Sequence, residues 1–212
     1  MKNVGRPKKT GVPLELRQQI IDATVQILST EGAEALTIRR VCQKADVSNG
    51  TFYHYFQNKD DLLMYFVKDT LFGNFEIKTP PDDITGRILE LYLHLVRKYQ
   101  SMGKEFMKSF YSTGNTALSA YMGETEGKFV EGTIMERSEI EMSEAQRRGI
   151  ITLDCNVHLV CADICTIVKG CVFEWCLEDG RMDVETTLRR LIENYMQIYL
   201  TRHLRADSWR ML

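Results

Sequence analysis

Between Ser48 and His54 the chain sets Asn49, Gly50, Thr51, Tyr53 and His54 within two helical turns. These residue types suit gripping a polyanion and reading base edges. The Thr51, Tyr53 and His54 side chains can donate to phosphate oxygens, and the ring at 53 can also meet a thymine methyl. Asn49 can hydrogen-bond adenine in bidentate fashion. Gly50 removes a side chain where backbone and bases would come closest. A glycine inside a helix costs about 1 kcal/mol against alanine, so its presence calls for a compensating reason. Lys59 and the amides at the start of the following helix offer a second phosphate site, and Thr37 offers another at an earlier helix start. Upstream, Gly5-Arg6-Pro7-Lys8-Lys9 forms an extended basic arm whose Arg6 and Lys8 suit a narrow minor groove, or serve as a solvated tail.

The elements that must position these groups follow from periodicity. Helix one is expected over Leu14–Glu31, with Ile20, Thr24, Ile27 and Leu28 on one stripe and Gly32 as the stop. Thr37 caps helix two, whose inner face carries Ile38, Val41, Cys42 and Ala45. Asp46-Val47 turns the chain, and Ser48 caps helix three. On that helix Phe52, Tyr55 and Phe56 face one way, and Asn49, Gly50, Tyr53 and His54 the other. Helix four is expected from about Asn58 to Phe75, with Leu62, Leu63, Phe66, Val67 and Leu71 inward. Two short helices about a tight turn, the second carrying exposed polar groups, are the layout of a helix-turn-helix. Pro80-Pro81 breaks the pattern and is read as the domain boundary. Beyond it, helices are predicted over 83–101, 103–112, 115–148, 156–178 and 183–204, and no alternating strand pattern is visible. The fold class is therefore all-α. It comprises an arm and helix-turn-helix domain (1–58), a connector helix (59–75) and a second helical domain (76–212).

Composition agrees with this division. Residues 1–60 carry nine Lys and Arg against six acids, while the rest of the chain is net negative by five. A basic end on an acidic body suits a protein that presents one face to phosphates. With 44% hydrophobic residues the chain can bury a core. No run approaches a membrane span, and the first residues lack the apolar segment of a signal peptide, so a cytoplasmic location is expected. The six cysteines, five of them between Cys155 and Cys176, form no paired metal-ligand spacing. They read as small hydrophobes or as a thiol switch. Asp154-x-x-x-His158 is too little to hold a metal. There is no phosphate loop, paired carboxylate signature or nucleophile with a base. No catalytic residue, cofactor or metal is expected, and the chain is not read as an enzyme; a helical enzyme with a vestigial helix-turn-helix is the remote alternative.

The run Thr37–Leu63, with Val-Ser-x-Gly-Thr-Phe-Tyr-His-Tyr-Phe-x-x-Lys-x-x-Leu at 47–62, closely resembles the helix-turn-helix of TetR-family transcriptional regulators. The basic arm is also common there. The resemblance implies DNA contacts at Thr37, Ser48, Asn49, Gly50, Thr51, Tyr53, His54 and Lys59, with Phe52 and Phe56 in the core. Two residues depart from the family pattern. Asp46 stands where a turn glycine is usual, and Asn49 where a Lys or Arg is common.

What the resemblance implies for the rest is a homodimeric repressor that binds a palindromic DNA operator and is released by a small-molecule effector. The effector would enter a pocket drawn from Tyr92, Tyr99, Met102, Phe106, Phe110, Tyr121, Met122, Phe129, Cys165 and Lys169. His94, Lys169 and Glu174 are the polar residues placed nearest to that core, and each reads first as a surface or satisfied group and second as a ligand anchor. The last two helices would pair with their symmetry mates through Val160, Ile164, Val168, Cys171 and Trp175, with Leu188, Leu191, Tyr195 and Tyr199 on the second helix. Gly170 would permit close approach. Those stripes suit an intramolecular core equally well. A regulator switched by thiol oxidation at Cys155–Cys176 is the alternative function.

Overall fold

The computed structural model describes residues 13–71, 75–112, 114, 115, 118 and 122–201. The chain divides into two compact units between Leu62 and Leu63. Pro80-Pro81, read from sequence as the boundary, lies inside the second unit.

The first unit contains α1 (Pro13–Glu31), a 3-10 turn (Ala33–Ala35), α2 (Ile38–Ala45), α3 (Asn49–Tyr55) and the first turn of α4 (Lys59–Leu71). Its core is built from Ile20, Ile27 and Leu28 of α1, Val41 and Cys42 of α2, Phe52 of α3, then Phe56 and Leu62. Gly32 takes a positive φ of 86° and ends α1. Thr37 accepts from the Arg40 amide at 3.2 Å and so starts α2. Asp46 adopts the left-handed conformation (φ 52°, ψ 42°), and its amide closes α2 onto the Cys42 and Gln43 carbonyls. The short polar side chain of Asp, able to hydrogen-bond locally, makes this conformation less costly than for most residues. The turn keeps its shape without the family's glycine.

The second unit contains α5 (Ile84–Met102), α6 (Lys104–Phe110), a hairpin of β1 (Glu124–Thr125) and β2 (Lys128–Phe129), α7 (Ile134–Arg147), α8 (Val157–Leu177) and α9 (Val184–Met196). α5 packs on α7 and α9, and α8 packs on the same two, so the four helices close a ring. α6 bears on α5 and α8, and β2 on α7. No described helix is long and apolar enough to cross a membrane.

Three expected helices are shorter in the structure. The helix predicted over 115–148 is interrupted by the hairpin, after which α7 starts at Ile134. Glu126 and Gly127 both take positive φ (55° and 72°), the two-residue turn that matches strand twist. Helix four ends at Leu71, and Phe75 lies in an irregular segment, stacked on His94 at 4.2 Å with the Arg137 guanidinium over its ring at 5.1 Å. The last helix ends at Met196 because residues 199–201 turn back onto 150–152. Thr201 donates to the Ile150 carbonyl (3.1 Å) and Thr152 to that of Tyr199 (2.9 Å).

Candidate nucleic-acid interface

α3 is seven residues long, about 10 Å at 1.5 Å per residue, a length that fits across a major groove about 12 Å wide. Ser48 Oγ accepts from the Thr51 amide (3.0 Å) and lies 2.9 Å from Thr51 Oγ1. These two residues therefore fix the start of the helix as well as facing outward. Phe52 and Phe56 anchor it from below, their rings 5.8 Å apart. Tyr53 stands edge-on against Phe52 at 5.5 Å and remains 56% exposed. His54 is exposed beside Tyr55, and Asn49 and Gly50 are exposed at the first turn. The structure thus brings Ser48, Asn49, Gly50, Thr51, Tyr53 and His54 onto one short helix and its cap, with their core partners beneath them.

Gly50 carries the strongest structural signal. A Cβ built there would meet Ser48 Oγ at 3.6 Å, an ordinary contact. Neither packing nor backbone conformation requires glycine at this position. Gly86 is the contrast, because a Cβ on it would run into the Asp83 carboxylate and the Thr79 methyl. The helix carries Gly50 with no contact inside the unit that requires it.

The phosphate site at the start of α4 is narrower than the sequence implied. The Asp61 amide is taken by Asn58 Oδ1 at 2.8 Å, and Asp61 in turn accepts from the Gln57 amide at 2.9 Å. Asp60 and Asp61 also put two carboxylates in that first turn, where they already answer the helix dipole. Lys59, half-exposed, remains as the cation of this turn. At the start of α2, Thr37 is exposed, and the exposed Arg39 beside it is a cation that the motif alone did not single out. Arg40 and Lys44 are paired with Glu31, at 2.9 and 3.5 Å. Arg6 and Lys8 lie outside the described residues.

In the second unit, Tyr92, Tyr99, Phe106, Phe110, Met122, Phe129 and Cys165 are buried together, while Met102 and Lys169 are half-buried. Tyr121 lies outside the described residues. His94 and Glu174 are exposed and do not enter the core. The stripes expected to pair on α8 and α9 are placed as follows. Val160, Ile164, Val168, Cys171, Trp175 and Leu188 are buried within the single chain, because α7 and α9 cover that face of α8. Leu191, Tyr195 and Tyr199 are half-buried. The face that remains open on α8 is the neighbouring one, where Leu159, Phe173 and Leu177 are exposed together with Asp163, Thr166 and Glu174. Gly170 lies on this exposed side, with nothing within 4 Å of a Cβ placed there.

A short helix fixed by its own caps, outward polar groups and an unforced glycine define a helix-turn-helix DNA-binding unit, joined to a second, helical unit. Residues 20–65 match the model of the bacterial regulatory proteins of the tetR family, and the chain carries the DNA-binding domain of that family. The fatty acid metabolism regulator protein of Bacillus subtilis is 36% identical over 66 residues, 31% of this chain and 33% of that protein. The HTH-type transcriptional repressor KstR of Mycolicibacterium smegmatis is 48% identical over 50 residues, 24% of each chain. The chain thus matches about a third or less of the length of these relatives. The overall fold is similar to that of Thermus thermophilus FadR, a TetR-family repressor solved with lauroyl-CoA. That comparison has a TM-score of 0.60 at 17% identity and covers 88% of this chain and 96% of that one. A regulator structure from Syntrophomonas wolfei gives a TM-score of 0.64 at 16% identity, over 88% and 96%.

Proposed function

We propose that the protein is a homodimeric transcriptional repressor that reads a palindromic operator with α3 and is released by a small-molecule effector bound in its second unit. The observation that carries this reading is Gly50, exposed on a helix that has room for a side chain there. An approaching DNA backbone or base edge gives that space a use. Named relatives of the N-terminal domain are regulators and repressors, which supports the repressor reading. A single α3 covers only one half-site, and a dimer reads two about 34 Å apart. The open face of α8, with Leu159, Phe173 and Leu177 exposed along it and Gly170 leaving room for close approach, suits pairing with a second copy. The effector and the operator then oppose each other by one shared coupling energy.

The thiol-switch alternative loses support from the chemistry of the cysteines. All six are buried as free thiols. Burial raises each pKa, that of Cys161 to about 12 and that of Cys176 to about 11. The reactive form is the thiolate, so these thiols are poor sensors.

The test is salt-dependent binding of purified protein to DNA from around its own gene, with Tyr53→Ala as control. Selective binding by a dimer, weakened in the variant and opposed by an effector, is the expected result. Weak, unselective binding that the variant does not alter would overturn the proposal.

A further inference from the structure

Arg40 and Lys44 lie one turn apart on α2, and both are held by the last residue of α1. The Arg40 guanidinium meets Glu31 Oε2 through Nη2 at 2.9 Å and through Nε at 3.0 Å, and its Nη1 reaches Gln43 Oε1 at 3.4 Å. Lys44 Nζ lies 3.5 Å from the other oxygen of Glu31. One carboxylate therefore engages two cations. Arg40, donating to it, holds the Glu31 carboxyl below the usual carboxylate range. The trio is open to solvent, with 44% of the Arg40 side chain exposed.

α2 is the first helix of the helix-turn-helix, the one that crosses the DNA backbone while the second enters the groove. Cations on it are scarce. Residues 13–62, the described part of the first unit, carry five Lys and Arg (Arg17, Arg39, Arg40, Lys44 and Lys59). Against them stand seven acids: Glu15, Asp22, Glu31, Glu34, Asp46, Asp60 and Asp61. The unit's other four basic residues, Lys2, Arg6, Lys8 and Lys9, precede this stretch. α3 carries no Lys or Arg, and Arg17 lies over the Phe56 ring at 5.8 Å. With Arg40 and Lys44 engaged by Glu31, two of the five cations are neutralised in part by a single residue.

Magnitudes decide what that residue does. An ion pair exposed to water adds little to stability. Beside a phosphate-binding helix the same charge weighs more, because each cation that neutralises a phosphate steepens log affinity against log salt by about 0.9. A swing of Arg40 towards a phosphate would not escape Glu31. The trio keeps one net positive charge, where glutamine in place of Glu31 would leave two.

We infer that Glu31 is a specificity-determining residue: by engaging Arg40 and Lys44 it lowers the affinity for DNA of arbitrary sequence more than the affinity for the operator. This rests on the proposed operator-reading function of α3. The asymmetry follows from what fixes each complex. Non-specific binding is supplied by phosphates, so every exposed cation can take part. In the operator complex, base contacts fix the register, and release helps only a cation that faces a phosphate in that register.

The test compares the full chain with Glu31→Gln, which keeps the size of the side chain but not its charge. Affinity is measured over about 0.05 to 0.2 M salt for two duplexes of equal length and composition. One is taken from around the protein's own gene and bound selectively; the other is scrambled. Glu31→Gln is expected to bind the scrambled duplex about tenfold more tightly at the low-salt end, with a slope steeper by about 0.9 for each cation released. On the selective duplex the gain should stay within about threefold. Adding Arg40→Gln and Lys44→Gln to Glu31→Gln should return scrambled-duplex binding to the wild-type level or below. Thermal midpoints of the wild type and Glu31→Gln should agree closely. The inference is overturned if Glu31→Gln leaves scrambled-duplex affinity and slope unchanged, or if both duplexes gain equally. It is also overturned if the triple variant keeps the gain, or if Glu31→Gln is markedly less stable, which would make the trio a structural tie. Selective wild-type binding with an unaltered Glu31→Gln defeats this inference alone. A wild type that prefers no duplex from around its gene defeats the operator reading, and this inference with it.

Discussion

α3 and α8 each carry an exposed glycine with room for a side chain, but the faces around those glycines differ. On α3, Gly50 is flanked by Asn49, Thr51, Tyr53 and His54, and one residue of the helix, Phe52, is buried. On α8, Gly170 lies between Thr166 and Glu174 beside Phe173, with Leu159 and Leu177 further along the same face, and nine residues of the helix are buried. A polar surface around an open glycine suits a hydrated polyanion that supplies its own acceptors. A mixed surface with large exposed apolar side chains suits another protein surface, where burial of those side chains supplies the driving force. The same local feature therefore points to two different partners, and the neighbouring side chains decide which.

The largest expected effect comes from putting charge on the apolar face. Leu177→Glu, 63% exposed in the single chain, should leave the fold intact but convert the dimer to monomer. Operator affinity should fall about a hundredfold or more as one half-site is lost, and sedimentation equilibrium with DNA titration checks both. A variant that stays dimeric would separate the face of α8 from dimerisation. A smaller effect is expected on the polar side. Lys59→Ala should reduce the slope of log affinity against log salt by about 1, uniformly across sequences, measured by binding at a series of salt concentrations.

Near the start of α8, His158 offers a pH test. Burial lowers its pKa, but Glu124 and Glu139 outweigh burial, and the net shift is upward. A raised folded-state pKa means the stabilisation is fully present below about 6.5, the unfolded value, and is lost as pH rises through the folded value. His158→Gln should therefore destabilise the protein most near pH 6 and have almost no effect near pH 9, as read from denaturation midpoints. The smallest effect belongs to the turn before α3. Asp46→Gly relieves a left-handed non-glycine residue but frees the unfolded chain. Its net change should stay within about 1 kcal/mol with DNA binding unaltered, whereas Asp46→Ala should destabilise. Chemical denaturation of the two variants distinguishes them.

How much of this was legible in the sequence follows from the range of the forces involved. The caps at Thr37 and Ser48, the turn at Asp46 and the inward spacing of Phe52 and Phe56 all act within four residues, and they appear in the sequence as they do in the fold. The hairpin at 124–129 did not. Glu126-Gly127 needs only two residues on each side to close, and the apolar positions around it also fit a helical period. On α8 the difficulty was different. Apolar residues occur around most of the helix, so periodicity could not tell which stripe α7 and α9 would cover. Val160, Ile164 and Val168 go inside, and Leu159, Phe173 and Leu177 stay outside, through tertiary contacts alone.

The most direct test of the account is Gly50→Ala, measured for both stability and operator binding. The fold has room for the methyl group, and alanine favours the helix by about 1 kcal/mol. The account predicts a protein at least as stable as the wild type whose operator affinity falls about tenfold or more. Unchanged binding by the equally stable variant would contradict it, because the space at Gly50 would then serve nothing outside the fold.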